Sequence, residues 1–474
     1  MGRKKAVQKN GFWNFIDNIE GDKVVWIIVF LLVIISVLAI FSSTPLLQDG
    51  SSDRIDIIKD HSIIVIFGLS VVFGLYKVPK IGWFKLFSQG GFLLSFILLL
   101  LLDAHVNLGF IRAQNINHAW RTLSVFGFQL HVFEVVKVAM VMYLAWALSA
   151  YKQDQEDMAK NRKKTKTFRF ANFMATSETF AFLGTPFWKR MLYLYLPIII
   201  VCGMTIIGSG SSAIFIGMIL IVTLLIGGLP FKEIFIAIAA GVAALGLLIG
   251  IHTASDGKFI PRLATVLSRL QADYDTDDLN ELKPGTREFF DVLDEIRQPY
   301  SAKIAVHEGR LIGKGSGNST QKYVVSNIYG DYMFSFLLEE YGLIGGILVI
   351  LLYVSLLARG SMIARLCSNE FAKIAVGGLS VLITGQAFMH MFVNVDIGPM
   401  TGQTLPLVSH GACAFLVFCI AFGIILSISR MASKRIREEE EAAAPLYESD
   451  RDDIQVTMDV LEQLDNFEKN DHEA

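Results

Sequence analysis

Residues 323–346 read YVVSNIYGDYMFSFLLEEYGLIGG. A polar segment ends at Asp331, and the apolar run that follows is broken only by Glu339, Glu340, Gly342, Gly345 and Gly346 before it continues to Leu357. One helix of that length spans the roughly 30 Å hydrocarbon core of a bilayer, and small residues let neighbouring helices approach closely. The stretch therefore reads as a membrane span entered from a polar loop, with a carboxylate at the point of entry. On local spacing the commoner role of such an aspartate is an N-cap, which satisfies free backbone donors.

The same pattern recurs outward from this stretch. The chain has 474 residues, 53% hydrophobic and 18% charged, and its mean hydropathy is +0.50. Apolar runs of about 17 to 25 residues predict about ten spans. They cover Val24 to Phe41, Ser62 to Tyr76, Trp83 to Leu102, Val132 to Ala150, Met191 to Ile207, Ser212 to Leu229, Ile234 to Ile251, Met333 to Leu357, Ile374 to Val395 and Cys413 to Ile428. The expected fold is an all-α polytopic membrane domain over 24–430. Residues 1–23 form a cytoplasmic lead, and 431–474 form a charged, largely disordered cytoplasmic tail with a short amphipathic stretch near Val456 to Leu464.

Clusters of Lys and Arg at 3–5, 77–80, 160–169, 359–365 and 434–437 fall on alternate connections, which places both termini in the cytoplasm and residues 252–330 outside. This long outer loop lies between the seventh and eighth spans. It has an acidic half with Phe289, Val292, Leu293 and Ile296 at helical spacing, and a glycine-rich half, GRLIGKGSGNSTQK. The formal net charge of −2 gives no reason to expect a nucleic-acid partner. Four scattered cysteines form neither a disulfide framework nor a zinc site and read as small apolar fillers.

Polar groups inside spans are costly, so each is a candidate for function. Glu134 and Lys137 stand at i and i+3 on the fourth span, close enough for a self-satisfied ion pair or for the charged wall of a cavity, and Arg121 precedes them. The glycines around Lys314 suggest an anion cradle, but the spacing is not that of a nucleotide-binding loop and no Ser or Thr follows the lysine; alone it reads as a flexible turn. The connection DIGPMTGQTLPLVSHGACAF (396–415) gathers Pro399, Gly402, Pro406, Ser409, His410 and Gly411. Irregular backbone at that depth is tolerated where it is buried in protein or lines a wet cavity.

Three of these segments together resemble one family. HVFEVVKVAM (131–140) is similar to the signature QPSExxK, residues 297–346 to the run that contains GKGxGxSxQK and LPxxHTD, and TGQTLPLVSHGACA (401–414) to TGxxLPxxSxGGSS. The chain is thereby identified as a member of the SEDS (shape, elongation, division and sporulation) family, membrane glycosyltransferases that polymerise lipid II into peptidoglycan. The run GKGSGNSTQK favours the division branch over the elongation branch.

The resemblance implies that Asp331 is the catalytic base. It implies substrate contacts from Arg121, Glu134, Lys137, Lys303, Lys314, Lys322, Glu340, Ser409 and His410. It also implies a bacterial inner-membrane location at the septum, a class B penicillin-binding protein as partner with other division proteins, and lipid II as substrate. A divalent cation, Mg2+ or Mn2+, is an expected but unspecified cofactor, since the sequence shows no complete ligand set. The pattern is broken at VSNIYGD, where proline, histidine and threonine are absent, at GSGSSA (208–213), which lacks an acidic residue, and at Ser301. The rival readings are a flippase for the lipid-linked precursor and a scaffold without catalysis.

Overall fold

The computed structural model describes residues 19–43, 54–116, 119–160, 168, 178–254, 286–325, 328–398 and 401–471. Its helices are α1 (Lys23–Ser43), α2 (Arg54–Tyr76), α3 (Ile81–Gln89), α4 (Gly91–Asp103), α5 (Val132–Ala159), α6 (Pro186–Gly208), α7 (Gly210–Ile226), α8 (Phe231–Ala254), α9 (Arg287–Gly309), α10 (Met333–Leu366), α11 (Glu370–Asn394) and α12 (Ala412–Asp471). Among the described residues seven helices are long and apolar enough to cross a membrane, and the pair α3 and α4, bent by 41° at Gly90, makes an eighth. The shorter apolar α7 and the 24-residue α8 occupy the sixth and seventh expected spans. The chain is a multi-pass helical membrane protein.

The helices at the centre are those buried on every side. α5 is apolar around its whole circumference, and Val136, Met140, Val141, Leu144, Ala145 and Ala147 are fully enclosed, which is the mark of a core helix. It packs against α11, α4, α7 and α3. α2 lies along α12, and α11 runs beside α10.

Two elements depart from the expected all-α chain. Residues 111–131 form a three-stranded antiparallel sheet, β1 (Ile111–Ile116), β2 (Ala119–Val125) and β3 (Phe128–His131), in the order β1-β2-β3. The two-residue turn Phe126-Gly127 sets the register that pairs Val125 with Phe128. The helical backbone of α12 also continues to Asp471, where composition predicts disorder. Pairs at i and i+4, Lys434 with Glu438, Arg435 with Glu439 and Arg437 with Glu441, carry it beyond the apolar segment.

The glycine-rich outer segment is also reassigned. α10 is broken at Gly342 (φ 65°, ψ −169°), which strands four backbone groups of the helix. Residues 310–315 take their place: Lys314 and Gly315 donate their N–H groups to the Glu339 and Glu340 carbonyls, each at 2.9 Å, while Leu343 and Ile344 donate to Arg310 O (2.9 Å) and Leu311 O (3.2 Å). The loop thus splices the broken helix, since buried backbone groups demand partners. A Cβ at Gly313 would collide with Glu340 O, and one at Gly309 with Leu338 O. These glycines are required by the close approach of two backbones, not by an anion or by flexibility.

Candidate functional site

Asp331 sits just ahead of α10, half-buried. The first residue of the helix boundary is Tyr332, whose side chain makes no capping bond. The free amides at this helix start are satisfied from α11. Phe334 N donates to His390 Nε2 (3.3 Å), and Ser335 N donates to Asn394 Oδ1 (2.9 Å). The capping task thus falls to a neighbouring helix, which weakens the ordinary reading of the aspartate as its own cap.

The backbone that presents Asp331 is fixed on both sides. Asn394 Nδ2 donates to Asp331 O at 2.9 Å. From the connection before α12, Ser409 Oγ donates to Gly330 O (2.8 Å) and accepts from Leu405 N (2.9 Å), and His410 N donates to Tyr329 O (2.8 Å). The His410 ring meets the Tyr329 ring edge-on, with centroids 5.7 Å apart. Burial holds the His410 imidazole below its usual pKa against the opposing pull of Asp60. The Ser409 hydroxyl, expected to touch substrate, is hydrogen-bonded to the turn that presents the aspartate.

On α5, Lys137 is only 2% exposed. Its Nζ donates to Glu134 Oε1 (2.7 Å), Gln386 Oε1 (2.5 Å) and Gln403 Oε1 (2.8 Å), a full complement for an ammonium. Arg121 on β2 joins this cluster. Gly402 adopts a left-handed backbone (φ +63°) beside it, and a Cβ there would stand 3.6 Å from Arg121 Nη1. Burial lowers the pKa of His131, and Arg121 and Lys137 act in the same direction against Glu134.

One helix face joins the two clusters. Gln386, His390 and Asn394 are spaced at four-residue intervals and form a polar stripe along α11. Gln386 binds Lys137, Asn394 binds the Asp331 carbonyl, and His390 lies between them with Nδ1 2.7 Å from Gln403 O. A carbonyl only accepts, so Nδ1 carries the proton, which leaves Nε2 to accept from Phe334 N. None of the four residues, Gln386, His390, Asn394 or Gln403, is among those expected from sequence; the signal that reveals the first three is their i, i+4, i+8 polar spacing in a largely apolar span, while Gln403 lies in the connection after it.

The remaining expected contacts lie elsewhere. Lys303 on α9 pairs with Asp396 at 2.7 Å, two residues beyond Asn394, so it borders the aspartate's side of α11. Lys314, Lys322 and Glu340 form a separate network around the helix break. Lys314 binds Glu308, Glu339 and Thr320; Lys322 donates to Gly317 O (2.7 Å); Glu340 accepts from Ser42 Oγ (2.6 Å) and Gly317 N (3.0 Å). Slight burial lowers the pKa of Lys314, but Glu308 and Glu339 outweigh it and leave the net shift upward, so the lysine is a fixed cation. These contacts gather the three residues beside the splice, and Glu340 Oε2 is buried there without a hydrogen-bond partner. Among the described residues no three His, Cys, Asp or Glu side chains are grouped to hold a metal ion.

Beside the Lys137 cluster lies an apolar cavity of ≈ 700 Å³ between the bent pair α3 and α4, α5, α12 and β3, lined by residues that include Trp83, Phe87, Leu94, Phe128, Leu130 and Val417.

Asn394→Ala removes two accepted hydrogen bonds, from Ser335 N and Oγ, and two donated ones, to Asp331 O and His390 O, at once. It is expected to lower stability by about 2 kcal/mol, because Ser335 N loses its partner. It also frees the Asp331 carbonyl, so activity should fall more than stability alone explains, which an unfolding curve run beside turnover separates.

The family described as "Cell cycle protein", the FtsW, RodA and SpoVE group, matches residues 22–434. A probable peptidoglycan glycosyltransferase FtsW of Coxiella burnetii is 26% identical over 377 residues, covering 78% of this chain and 85% of that protein. The corresponding protein of Hahella chejuensis is 33% identical over 168 residues, which are 35% of this chain and 42% of the relative. The peptidoglycan glycosyltransferase MrdB of Escherichia coli K12 is 36% identical over 144 residues, 28% of this chain and 38% of the relative. Of solved structures, a chain of a peptidoglycan synthase complex superposes with TM-score 0.59 at 19% identity, covering 86% of this chain and 98% of that one. The rod shape determining protein RodA of Thermus thermophilus gives 0.52 at 18% identity, covering 87% and 98%.

Proposed function

Because the chain belongs to the FtsW, RodA and SpoVE family of cell cycle proteins, we propose that it is a peptidoglycan glycosyltransferase that polymerises lipid II for septal wall synthesis. The observation that carries this reading is the polar stripe of α11, which ties the Lys137 cluster to Asp331 next to an apolar cavity. A polyprenyl-linked disaccharide needs both: a dry groove for its chain and charged groups at the head. Among the similar curated proteins the FtsW name recurs more often than the MrdB name, which supports the division role over the elongation role.

In the proposed reaction the Asp331 carboxylate accepts the proton of the GlcNAc 4-hydroxyl on one lipid II. The oxygen then attacks the MurNAc anomeric carbon of another, and undecaprenyl pyrophosphate leaves. The base is held at the end of a helix by Asn394 and Ser409, so it is oriented before substrate arrives. Arg121, set beside the neutralised Lys137–Glu134 pair, supplies positive charge for the departing pyrophosphate. A divalent cation, Mg2+ or Mn2+, has no three-residue cage among the described residues, and no step here is assigned to one. The proposal extends to a bacterial inner-membrane location at the septum, beside a class B penicillin-binding protein that crosslinks the product; membership of the family supports this reading.

The test is incubation of the purified chain with lipid II, with and without the co-expressed transpeptidase, and separation of the glycan strands. New polymer is the expected result. Translocation of head groups across vesicles without any polymer would replace this reading by the flippase.

A further inference from the structure

The hairpin between α4 and α5 exposes side chains that water does not favour. Phe126 is 84% exposed, Leu108 59%, Phe110 54% and Phe128 44%. Phe126 and Gly127 form the two-residue turn, with φ of 50° and 86°. Both central positions of such a turn favour Asn or Gly, and a bulky residue is disfavoured there. The aromatic is nevertheless kept and braced: Phe126 N donates to Phe110 O at 3.0 Å, and the two rings stack with centroids 5.7 Å apart. A strained, rigid and exposed aromatic pair calls for something that covers it.

Three observations identify the cover. The turn is six residues from Val132, where a membrane-spanning helix begins, so at about 3.3 Å per residue it stands no more than about 20 Å from that helix start. Phe128 and Leu130 line the same cavity as Trp83, Phe87 and Leu94 of the bent span, so the apolar surface runs without a break from span to hairpin. From Ala104 to Phe133 the chain has no acidic residue, while it carries Arg112 and Arg121. Aromatic rings with arginine and no carboxylate suit the headgroup layer of a bilayer, where anionic phosphates lie above acyl chains.

We propose that Phe110 and Phe126 seat this hairpin in the headgroup layer of the leaflet on Asp331's side, with Arg112 facing lipid phosphate. The inference concerns lipid contact and does not depend on the catalytic reading.

The experiment places a nitroxide on Phe126→Cys, on Phe110→Cys and on Gln129→Cys, the last on the exposed opposite face of β3. The full chain is held in nanodiscs of phosphatidylethanolamine and phosphatidylglycerol, and the signal of the labelled parent is subtracted. Relaxation by oxygen, which enters the bilayer, is compared with relaxation by a water-soluble nickel chelate. The expected ratio of oxygen to chelate is several-fold higher at 126 and 110 than at 129. A ratio at both positions equal to that at 129 places the hairpin in water and overturns the proposal. Protection from both reagents would show a protein cover and overturns it as well. Equal unfolding transitions for the parent and the three variants establish that the ratios come from the folded chain.

Discussion

Asp331→Ala is expected to reduce lipid II polymerisation by the purified chain by about 10²- to 10⁴-fold, the usual contribution of a general base. Its folded stability should change little. Asn394 grips the backbone carbonyl of residue 331, which alanine retains, and the α10 amides are held by His390 and Asn394. Loss of turnover with an unchanged unfolding transition therefore reports chemistry, not collapse. Asp331→Asn sharpens the point, since the amide keeps the shape and still accepts hydrogen bonds but takes up no proton. Both variants should be equally inactive. Parental polymerisation by either one removes Asp331 from the role of base, and an active Asp331→Asn beside an inactive Asp331→Ala would reduce the side chain to a hydrogen-bonding partner.

The spans were legible because lipid imposes one rule on every segment: backbone polar groups must be satisfied internally, so crossing segments are long apolar helices. The expected Val132 to Ala150 lies within α5, and Met333 to Leu357 within α10. The hairpin was not legible. Its strands are short, and the sequence Phe126-Gly127 lacks the usual turn pair, so a reading tuned to apolar runs passed over it. The helix break at Gly342 was hidden for a different reason. Glycines in a membrane helix ordinarily report close packing, and only the backbone exchange with residues 310–315 shows that one of them ends a helical turn.

The site was half legible for a related reason. Charged residues in spans announce themselves by cost, and Glu134 and Lys137 were found in that way. Gln386, His390 and Asn394 cost less and are easily read as incidental. Their spacing on one face becomes informative only when the partners at each end, Lys137 and the Asp331 carbonyl, are known. Lys314, Lys322 and Glu340 are close to the aspartate along the chain, and the structure gathers them in a network of their own beside the break at Gly342.

Lys137→Met is the second large effect, and here stability moves with activity. The ammonium is enclosed, and its three donors meet Glu134, Gln386 and Gln403. Methionine fills similar volume but leaves three acceptors facing an apolar side chain, one of them a carboxylate whose other oxygen, Glu134 Oε2, is buried with no hydrogen-bond partner. Removing one partner of a buried pair typically costs about 3–5 kcal/mol, because an uncompensated charge remains. Adding Glu134→Gln takes away that charge. The double variant should accordingly be more stable than Lys137→Met alone, with a coupling of about 0.5–3 kcal/mol measured by a double-mutant cycle on unfolding in micelles. Activity should not recover with stability. Gln403, released from Lys137, also carries the carbonyl that binds His390, so the constraint passed to the start of α10 is loosened in both variants. A stable double variant that polymerises at the parental rate would make the cluster a packing device and separate it from the site of Asp331. A stable double variant that remains inactive identifies the buried lysine as part of the machinery that positions the aspartate.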